Sequence, residues 1–517
     1  MEEAHGLALA VRRQGWSGVE EVVVGHRAVT VVVDPNRAQL GELAHAAATL
    51  APSGPGELSA RTIEIPVVFD GPDLEEVASS SGTTSSGVSA AIVTAELVVA
   101  MVGFVPGFAY LEGLPGPLAA VPRRASPRPR VEAGAVAIGG GYAGVYPLAT
   151  PGGWQVVGHT EMRLFDGDTP PFAVLRPADR VRFREVERSH AAGGPARPTA
   201  RPPLVARPTR RGGGRVPSVR VLQPGMCTTI QDAGRIGAAE LGVPRAGVAD
   251  SLSARLANRG VGNLEVAALL EMTLTGAVLQ FESARYVALV GDAGIAIDGR
   301  PMARGAVHPV AAGQIVEVGP IGPGPRAFLA VGGGIENPPL LGSRSSDLLC
   351  GIGPGPLVAG DELALGEPGR ARGRFECPQR CTTLRVLPGP DGRTRDGFAT
   401  GSYVVGPRSD RTGVRLEPDR PLRPVEAVDG SVAMVTGAVQ LPPDGQPIIL
   451  GVDHATLGGY PVVAVVISAD LPRLGQLLPG DTVHLEPVDA AQAARLHRDG
   501  EASLERRLRD WYPTQAG

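Results

Sequence analysis

The sequence predicts a mainly β protein with some α-helix, built from several barrel-like units. Glycine (71 residues) and proline (49) make up nearly a quarter of the 517 residues, whereas aromatic residues reach only 4%. That composition is typical of many short strands joined by tight turns. Apolar residues make up 43% of the chain, and in several segments they alternate with polar ones, as half-buried strands require.

An internal repeat predicts how the strands are grouped. An apolar segment at 134–138 and a Thr/Gly-Gly block at 150–157 recur at 437–441 and 456–463. Each copy then reaches a turn and an alternating strand, at Asp179 and Asp481, and a third such turn lies at Asp361. We infer three related barrel-like units. The alternative is that strand–turn–strand elements look alike in unrelated proteins.

The repeat and a Pro/Gly/Arg-rich stretch without periodicity define the predicted domains. The stretch, residues 187–216, predicts a linker. The first segment, 1–85, is expected to be a small α+β domain, either complete or truncated. The others are a barrel at 86–186, a second barrel at 217–375, and a third barrel with a C-terminal helix at 376–517.

Three helices are predicted from capping residues that precede an apolar stripe, all as packing elements. Asp34 followed by Pro35 predicts the start of the first, Asp250 that of the second, and Asp489 that of the C-terminal helix.

Composition narrows the classes of partner. The net charge is −4 and no window approaches the ~18 apolar residues of a membrane span, so neither nucleic acid nor membrane is expected. The first residues lack the apolar core of a signal peptide, which favours the cytoplasm. Four cysteines are too few for a disulfide framework, and Cys377 and Cys381 have no further zinc ligands nearby.

The chain contains no lysine, since all 49 basic residues are arginine. A Walker-A loop, Schiff-base catalysis and covalent carriage of biotin each need a lysine. The sequence therefore excludes all three, and no biotin is bound covalently to this chain. Any phosphate must be held by arginines and backbone N–H groups.

Two sets of motifs resemble known families. Segments 103–111, 122–130, 137–147 and 151–155 resemble the family of the 5-oxoprolinase B subunit, also known as allophanate hydrolase subunit 1 or the sporulation-kinase inhibitor family. Segments 221–232, 241–244, 341–347, 406–411, 441–447, 458–461 and 467–473 resemble the family of the C subunit (allophanate hydrolase subunit 2), which is biotin-dependent carboxyltransferase-like. The resemblances cover about 60–185 and 217–487, most of the chain.

The resemblance implies cyclophilin-like β-barrels and a fusion of the B and C components of an ATP-dependent 5-oxoprolinase. With a separate 5-oxoprolinase A subunit, and with ATP and Mg²⁺ as a substrate, such a complex converts 5-oxoproline to glutamate. One alternative is the carboxyltransferase part of a biotin-dependent urea or amide carboxylase. Another is a non-enzymatic module that restrains a histidine kinase. A homo-oligomer is also possible.

The sequence departs from the family pattern at four positions. Val93 stands where the B-type family commonly carries histidine, and Tyr142 stands where it carries glutamine. In the second half, Ala455 and Val462 replace a usual glutamine and lysine. Each departure concerns a polar side chain of the family motifs.

Phosphorylating a lactam oxygen needs positioned arginines and carboxylates, which neutralise the moving charge. We predict catalytic roles for Arg408, Asp410 and Arg411, although an Arg-Ser-Asp segment can equally be an ordinary turn with an internal ion pair. Further predicted catalytic residues are Asp444 and Gln446, on a turn where they could hold an amide or a carboxylate.

Substrate or ATP contacts are predicted for a second set. The glycine-rich run could bind an anion or form a tight turn, and the aromatic residues could wall a pocket or belong to the core. The set comprises Phe104, Phe108, Arg124, Arg128, Gly140, Gly141, Trp154, Arg344, Asp347, Thr456 and Tyr460. Because the set is divided between the two halves, the sequence predicts an active site between them.

Overall fold

The computed structural model describes residues 2–54, 61–167, 169–187, 217–390, 398, 401–423 and 430–509. The predicted linker lies outside the described residues except for Glu187. The prediction of a mainly β fold with barrel sheets and few helices is confirmed, with 34% of residues in strands and 18% in helices.

The first half consists of an α/β hairpin unit followed by a seven-stranded sheet. Its helices are α1 (Glu2–Gln14), α2 (Leu40–Thr49), α3 (Leu74–Ser80), α4 (Ser85–Thr94) and α5 (Gly116–Ala119). Its strands are β1 (Val19–Val24), β2 (Val29–Val33), β3 (Thr62–Val67), β4 (Leu97–Val102), β5 (Ala109–Glu112), β6 (Arg128–Val131), β7 (Ala135–Gly139), β8 (Tyr142–Val145), β9 (Thr150–Gly152), β10 (Gln155–His159) and β11 (Arg180–Glu185).

The second half begins with a two-sheet unit and ends in a closed barrel. The two-sheet unit contains β12 (Ser218–Gln223), β13 (Cys227–Gln231), α6 (Ser251–Gly260), β14 (Leu269–Thr273), β15 (Val278–Phe281), β16 (Arg285–Gly291), β17 (Ala293–Ile297), β18 (Arg300–Pro301), β19 (Val307–Val310), β20 (Ile315–Ile321), β21 (Arg326–Val331) and β22 (Glu362–Ala364). The barrel segment contains β23 (Thr383–Pro388), β24 (Ser402–Val405), β25 (Gly413–Glu417), β26 (Val432–Ala433), β27 (Ala438–Gln440), β28 (Ile448–Leu450), β29 (Leu457–Gly458), β30 (Val462–Val466), α7 (Leu471–Leu474), β31 (Thr482–Pro487) and α8 (Ala490–Arg509).

The seven-stranded sheet and the closed barrel have the same strand order. The first runs β10-β7-β8-β5-β4-β11-β3, and the second runs β30-β27-β28-β25-β24-β31-β23. The last pair of each, β11 with β3 and β31 with β23, is parallel. The first sheet also closes, through the antiparallel bridge between Val68 and His159. These two units are therefore the repeat that the sequence predicts.

The Asp turn that ends each repeat has the same hydrogen bonds in all three units. Each carboxylate accepts the backbone N–H of the residue three positions earlier: Asp179 from Arg176 (2.9 Å), Asp361 from Val358 (2.9 Å) and Asp481 from Leu478 (2.6 Å). In the first and last units the following strand alternates between exposed and buried residues, as predicted. The middle unit differs, since its strands form one sheet of six and one of five.

Two predictions about element boundaries need correction. The helix expected at Asp34 begins only at Leu40, because Asp34 Oδ1 accepts the N–H of Asn36 (2.9 Å) and closes a turn instead. That helix contains no buried residue, so it is not the packing element expected. In addition, β3 lies before residue 85, the predicted end of the N-terminal domain, yet it pairs within the seven-stranded sheet.

The helices expected at Asp250 and Asp489 are present. Asp250 Oδ1 accepts the N–H of Ser253 (3.0 Å) at the start of α6, and Asp489 Oδ1 accepts that of Gln492 (2.7 Å) at the start of α8. Side-chain oxygens at these positions satisfy N–H groups that the first turn of a helix leaves unpaired. Trp511, at the end of the predicted C-terminal stripe, lies outside the described residues.

The two halves touch directly through backbone groups. The N–H of Gly107 donates to the carbonyl oxygen of Leu241 (2.8 Å). Gly103 lies against Leu457 of the barrel segment so closely that a Cβ on Gly103 would be 2.3 Å from the leucine side chain. A side chain at position 103 would therefore require Leu457 or the adjoining backbone to move.

Candidate active site

A cleft of about 770 Å³ lies where the N-terminal hairpin, the seven-stranded sheet and the barrel segment meet. We call it the junction cleft. The side chains and glycines that matter below are His26, Phe104, Tyr110, Glu112, Arg123, Gly140, Gly141, Tyr142, Gly459 and Tyr460. Of the residues predicted from sequence, Phe104, Gly140, Gly141 and Tyr460 are thus brought together, from both halves of the chain.

His26 reaches the junction cleft from the tip of the β1–β2 hairpin. The turn is closed by the N–H of Gly25 donating to the carbonyl oxygen of Ala28 (2.8 Å). The backbone N–H of His26 itself donates to the carbonyl oxygen of Ser431 (2.8 Å), in the barrel segment. The histidine is therefore fixed between the N-terminal unit and the second half.

The imidazole of His26 is oriented by two groups from the seven-stranded sheet. Its Nδ1 lies 2.7 Å from the hydroxyl oxygen of Tyr142 and 3.2 Å from Glu112 Oε1. A carboxylate beside one ring nitrogen fixes the tautomer and directs the other nitrogen outward. This arrangement assigns Nδ1 to the protein contacts and leaves Nε2 as the nitrogen that can exchange a proton within the cleft.

An aromatic cluster forms the wall behind this histidine. Phe108 makes edge-to-face contacts with Phe104, Tyr110, Tyr146 and Trp154, with ring centroids 5.1–5.6 Å apart. Trp154 is buried and lies parallel to Tyr142. Phe108 and Trp154, predicted as ligand contacts, thus belong to the core that supports the cleft, whereas Phe104 and Tyr110 line it.

Gly140 and Gly141 form the two-residue turn between β7 and β8. Both have positive φ angles, 63° and 90°, which tight two-residue hairpin turns require and which glycine adopts without strain. The N–H of Gly140 donates to the carbonyl oxygen of Val121 (3.0 Å). The geometry therefore favours the turn over the anion-binding loop, since one of the two N–H groups is already used.

The arginines of the first-half motif divide into two roles. Arg123 lines the junction cleft, with its side chain over Gly140. Arg124 and Arg128 instead donate to the buried carboxylate of Asp73, Arg124 through one hydrogen bond (3.0 Å) and Arg128 through two (2.7 and 2.8 Å). The structure thus places the two arginines chosen from sequence outside the cleft.

The hydrogen bonds to Asp73 hold the side chains of Arg124 and Arg128 in place. Burial favours a raised pKa for its carboxyl group, but hydrogen bonds from Arg128 and from the N–H of Val156 (2.6 Å) outweigh it and lower the pKa below its ordinary value. A buried carboxylate that loses its cation keeps the cost of its own desolvation. Arg124 and Arg128 are therefore structural groups here.

Replacing Arg128 with methionine is expected to lower the free energy of unfolding by about 1–3 kcal/mol at pH 7, and the same change at Arg124 by less, because Arg124 makes one bond instead of two. The pKa of Asp73 is depressed in the folded state, so its stabilising contribution is present at neutral pH and is lost as the pH falls through that lower pKa. Urea unfolding should show the difference between Arg128→Met and wild type shrinking below about pH 4. A difference that grows on acidification would contradict this assignment.

Arg411 belongs to a buried ionic network between the two units of the second half. It donates to both oxygens of Asp453 (2.8 Å each), to Glu271 Oε1 (2.6 Å) and to the carbonyl oxygen of Gly247 (2.7 Å). Burial opposes its charge, but the two carboxylates outweigh burial and raise the pKa of its guanidinium. With its side chain so occupied, Arg411 has little capacity left for a phosphate.

The other predicted catalytic residues lie on exposed turns away from the junction cleft. Asp410 Oδ1 accepts the N–H of Thr412 (2.8 Å), and Asp444 Oδ1 accepts that of Gln446 (3.0 Å). Arg408 is exposed on the first of these turns. The ordinary-turn alternative thus fits the geometry of the Arg-Ser-Asp segment.

The remaining second-half residues are buried or paired within the protein. Arg344 donates to the carbonyl oxygen of Asn337 and to Glu336 (2.8 Å each). Asp347 is buried, accepts the N–H of Cys350 (2.7 Å), and has a pKa raised to about 6 by burial and by nearby Asp453. Thr456 is buried as well.

Metal ligands do not cluster in the part of the chain that the structure describes. There, no three His, Cys, Asp or Glu side chains come together as a metal site. No helix in those same ranges combines the length and apolarity needed to span a bilayer.

Sequence patterns did not indicate His26 or Glu112 as site residues, whereas they did suggest Arg123 as one of the first-half cations, together with Arg124, Arg128 and Arg130. His26 and Tyr142 are 116 positions apart, and no local pattern marks the histidine. Arg123 is one of several neighbouring arginines in the sequence, and the direction of its side chain depends on the fold around Gly140.

The two halves of the chain match different family models and different relatives. The family model of the carboxyltransferase domain, subdomain C and D, matches residues 1–175, and that of subdomain A and B matches residues 241–487. The chain is 34% identical to the 5-oxoprolinase C subunit of Escherichia coli (strain K12) over 299 residues, 56% of this chain and 96% of that protein. It is 44% identical to the 5-oxoprolinase B subunit of Escherichia coli O157:H7 over 179 residues, 34% of this chain and 82% of that protein.

Larger proteins and solved structures show the same similarity. Urea amidolyase of Lachancea kluyveri is 32% identical over 325 residues, 55% of this chain but 18% of that protein. The crystal structure of TTHA0988 is 37% identical with a TM-score of 0.82, and the match covers 94% of this chain and 96% of that one. The crystal structure of K. lactis urea amidolyase is 30% identical with a TM-score of 0.52, over 57% of this chain and 20% of that one.

Proposed function

Because the chain belongs to the carboxyltransferase-domain family, joining a half similar to the 5-oxoprolinase B subunit to a half similar to the C subunit, we propose that it supplies both components of an ATP-dependent 5-oxoprolinase. The observation that carries the proposal is coverage: the two halves match 82% of a B subunit and 96% of a C subunit, in that order along one chain. A separate A subunit completes the proposed enzyme.

The junction cleft is the proposed binding site for 5-oxoproline, a small ring with a lactam and a carboxylate. Arg123 is the cation in its wall, and a guanidinium binds a carboxylate through paired hydrogen bonds. Phe104 and Tyr110 offer apolar surface for the ring. Residues from three units contribute, so the site would be complete only when both halves are present.

The proposed reaction activates the lactam by phosphorylation. The γ-phosphoryl group of Mg-ATP passes to the lactam oxygen and releases ADP; water then adds to the carbon, the ring C–N bond breaks, the nitrogen takes up a proton, and phosphate leaves. Two water molecules are consumed in total, one at the ring opening and one at the release of phosphate from the acyl carbon. The products are glutamate, ADP and phosphate.

His26 is the proposed proton-transfer group for the hydrolytic step. Its Nδ1 is held by Tyr142 and Glu112, and Nε2 would accept a proton from the attacking water and return one to the departing nitrogen. A neighbouring carboxylate stabilises the imidazolium that forms in between. Glu112 and Tyr142 act as positioning residues in this scheme.

The proposal is tested by reconstitution. Mixing the purified chain with a 5-oxoprolinase A subunit, 5-oxoproline and Mg-ATP is expected to release glutamate and ADP in equal amounts, while either protein alone gives neither. Omitting 5-oxoproline controls for uncoupled ATP hydrolysis. Absence of substrate-dependent ADP release from the mixture would count against the proposal.

Carboxyl transfer is the second candidate, favoured by the match to urea amidolyase. Since the chain has no lysine, carboxybiotin would have to arrive on another protein. Decarboxylation of free carboxybiotin by the purified chain, stimulated by urea, would select this function. An unchanged rate of carboxybiotin decay leaves the oxoprolinase proposal in place.

A further inference from the structure

The second half contains a separate cavity of about 310 Å³, partly open to solvent, between its two-sheet unit and its barrel. We call it the C-half cavity. Its wall is largely apolar and includes Val248, Ala254, Val414, Val452 and Leu474. This volume is at the lower end of small-molecule sites, roughly 300–1,000 Å³.

A buried cation with few hydrogen bonds, Arg326, interrupts the apolar wall. Arg326 is 92% buried, since 8% of its surface is exposed, and among the described residues it donates one hydrogen bond, from Nη1 to the carbonyl oxygen of Gly475 (2.6 Å). Its Nε is buried and lacks a hydrogen-bond partner in the described ranges, although it lies 3.3 Å from Glu271 Oε1. Nε therefore faces Glu271 without forming a hydrogen bond, and Nη2 donates none to the residues that the structure describes.

Arg326 has few hydrogen bonds because Arg411 uses the same carboxylate oxygen of Glu271. Glu271 Oε1 already accepts a hydrogen bond from Arg411 (2.6 Å), and Glu271 Oε2 accepts the N–H of Ala249 (2.8 Å). Burial lowers the pKa of Arg326. At Arg411 the neighbouring carboxylates outweigh burial and raise the pKa. A buried guanidinium without full hydrogen bonding is costly, and an anionic ligand would offset that cost.

The acids in the cavity wall are hydrogen-bonded or ion-paired within the protein. Asp232 accepts hydrogen bonds from Ser343 (2.5 Å) and Ser345 (2.6 Å). Glu265 is paired with Arg255 (2.6 Å), and Asp410 accepts backbone N–H groups of its own turn. Among the other cations of the wall, Arg255 and Arg411 are paired with carboxylates, and Arg245 is partly exposed and donates to Glu20 (3.0 Å). Arg326 is therefore the buried wall cation that the protein's own acceptors satisfy least.

We propose that the C-half cavity is a binding site for a small carboxylate with a compact apolar body, whose carboxylate pairs with Arg326. Guanidinium and carboxylate match in geometry and charge, and the apolar wall takes the rest of the molecule. This site is distinct from the junction cleft and does not depend on the oxoprolinase proposal.

The test is isothermal titration of the full chain with sodium benzoate, with benzamide as the neutral molecule of the same shape. Benzoate is expected to bind one site, and benzamide at least about tenfold more weakly, because it lacks the charge-assisted hydrogen bonds. Arg326→Met is expected to weaken benzoate binding by about tenfold or more. Ala254→Leu, which narrows the cavity without altering its charge, should weaken benzoate binding as well. This variant tests the proposal if Arg326→Met does not fold.

Arg123→Gln is the matched control, because it removes a cation from the junction cleft instead. Benzoate binding that survives Arg123→Gln and fails in Arg326→Met supports the proposal. The opposite pattern would place benzoate in the junction cleft and overturn it. No measurable binding of benzoate would also overturn it, since the cavity would then hold water only.

Discussion

Replacing His26 with glutamine is expected to lower the rate of glutamate release by the reconstituted enzyme by about a hundred- to ten-thousandfold, the usual loss when a proton-transfer group is removed. His26 lines the junction cleft, and its Nδ1 contacts Tyr142 and Glu112, which leaves Nε2 as the nitrogen for the proposed proton transfer. Glutamine retains polarity and approximate size but cannot accept a proton at neutral pH. The substitution should leave the unfolding transition within about 1 kcal/mol of wild type.

Two further variants separate catalysis from folding. His45→Gln changes an exposed histidine of α2 and should leave the rate unchanged. Glu112→Gln should give an intermediate loss, because Tyr142 still contacts the imidazole while the stabilising charge is gone. Full activity of His26→Gln, with confirmed folding, would remove histidine from the proposed mechanism.

The second large effect concerns stability. Arg411→Met is expected to lower the free energy of unfolding by about 3–5 kcal/mol, because it leaves the buried carboxylate of Asp453 without its cation and removes the nearer of the two cations that contact Glu271. Asp453 would keep only the long contact from the N–H of Leu348 (3.3 Å) among the described residues, and Glu271 would keep Arg326 and the N–H of Ala249. Urea unfolding monitored by tryptophan fluorescence measures the change.

Arg408→Met is the control, since it removes the same type of side chain three positions earlier on an exposed turn. Its effect on stability should stay within about 0.5 kcal/mol. If Arg411→Met were as stable as wild type and inactive, the catalytic role predicted for this arginine from the sequence would be correct and the structural assignment wrong.

The parts of the fold that the sequence predicts well are those encoded locally. The Asp179 and Asp481 turns are each closed by a hydrogen bond within four residues, so their pattern survives in the sequence. Asp250 likewise caps α6 by a local hydrogen bond, because it accepts the N–H of the residue three positions later. Short-range chemistry of this kind repeats whenever the unit repeats.

The site was less predictable because its contacts span long distances in sequence. Glu271 and Arg411 are 140 positions apart, so the Arg-Ser-Asp segment gave no sign that its arginine is occupied. Arg123 and Arg124 are neighbours with the same chemistry, and only the position of Asp73 decides which of them faces the cleft. The expectation of a site between the halves rested on how the motifs were divided, and the junction cleft is formed by residues of both.

The central claim is that the junction cleft, shared by the two halves, binds the substrate. A crystal structure of the full chain grown with 5-oxoproline tests it most directly. The predicted result is a ligand whose carboxylate contacts Arg123, whose ring lies against Phe104, and whose lactam carbon is within reach of His26 Nε2, with Tyr460 on the opposite wall. A ligand bound in the C-half cavity or on the Arg408 turn, with the junction cleft unchanged, would contradict it.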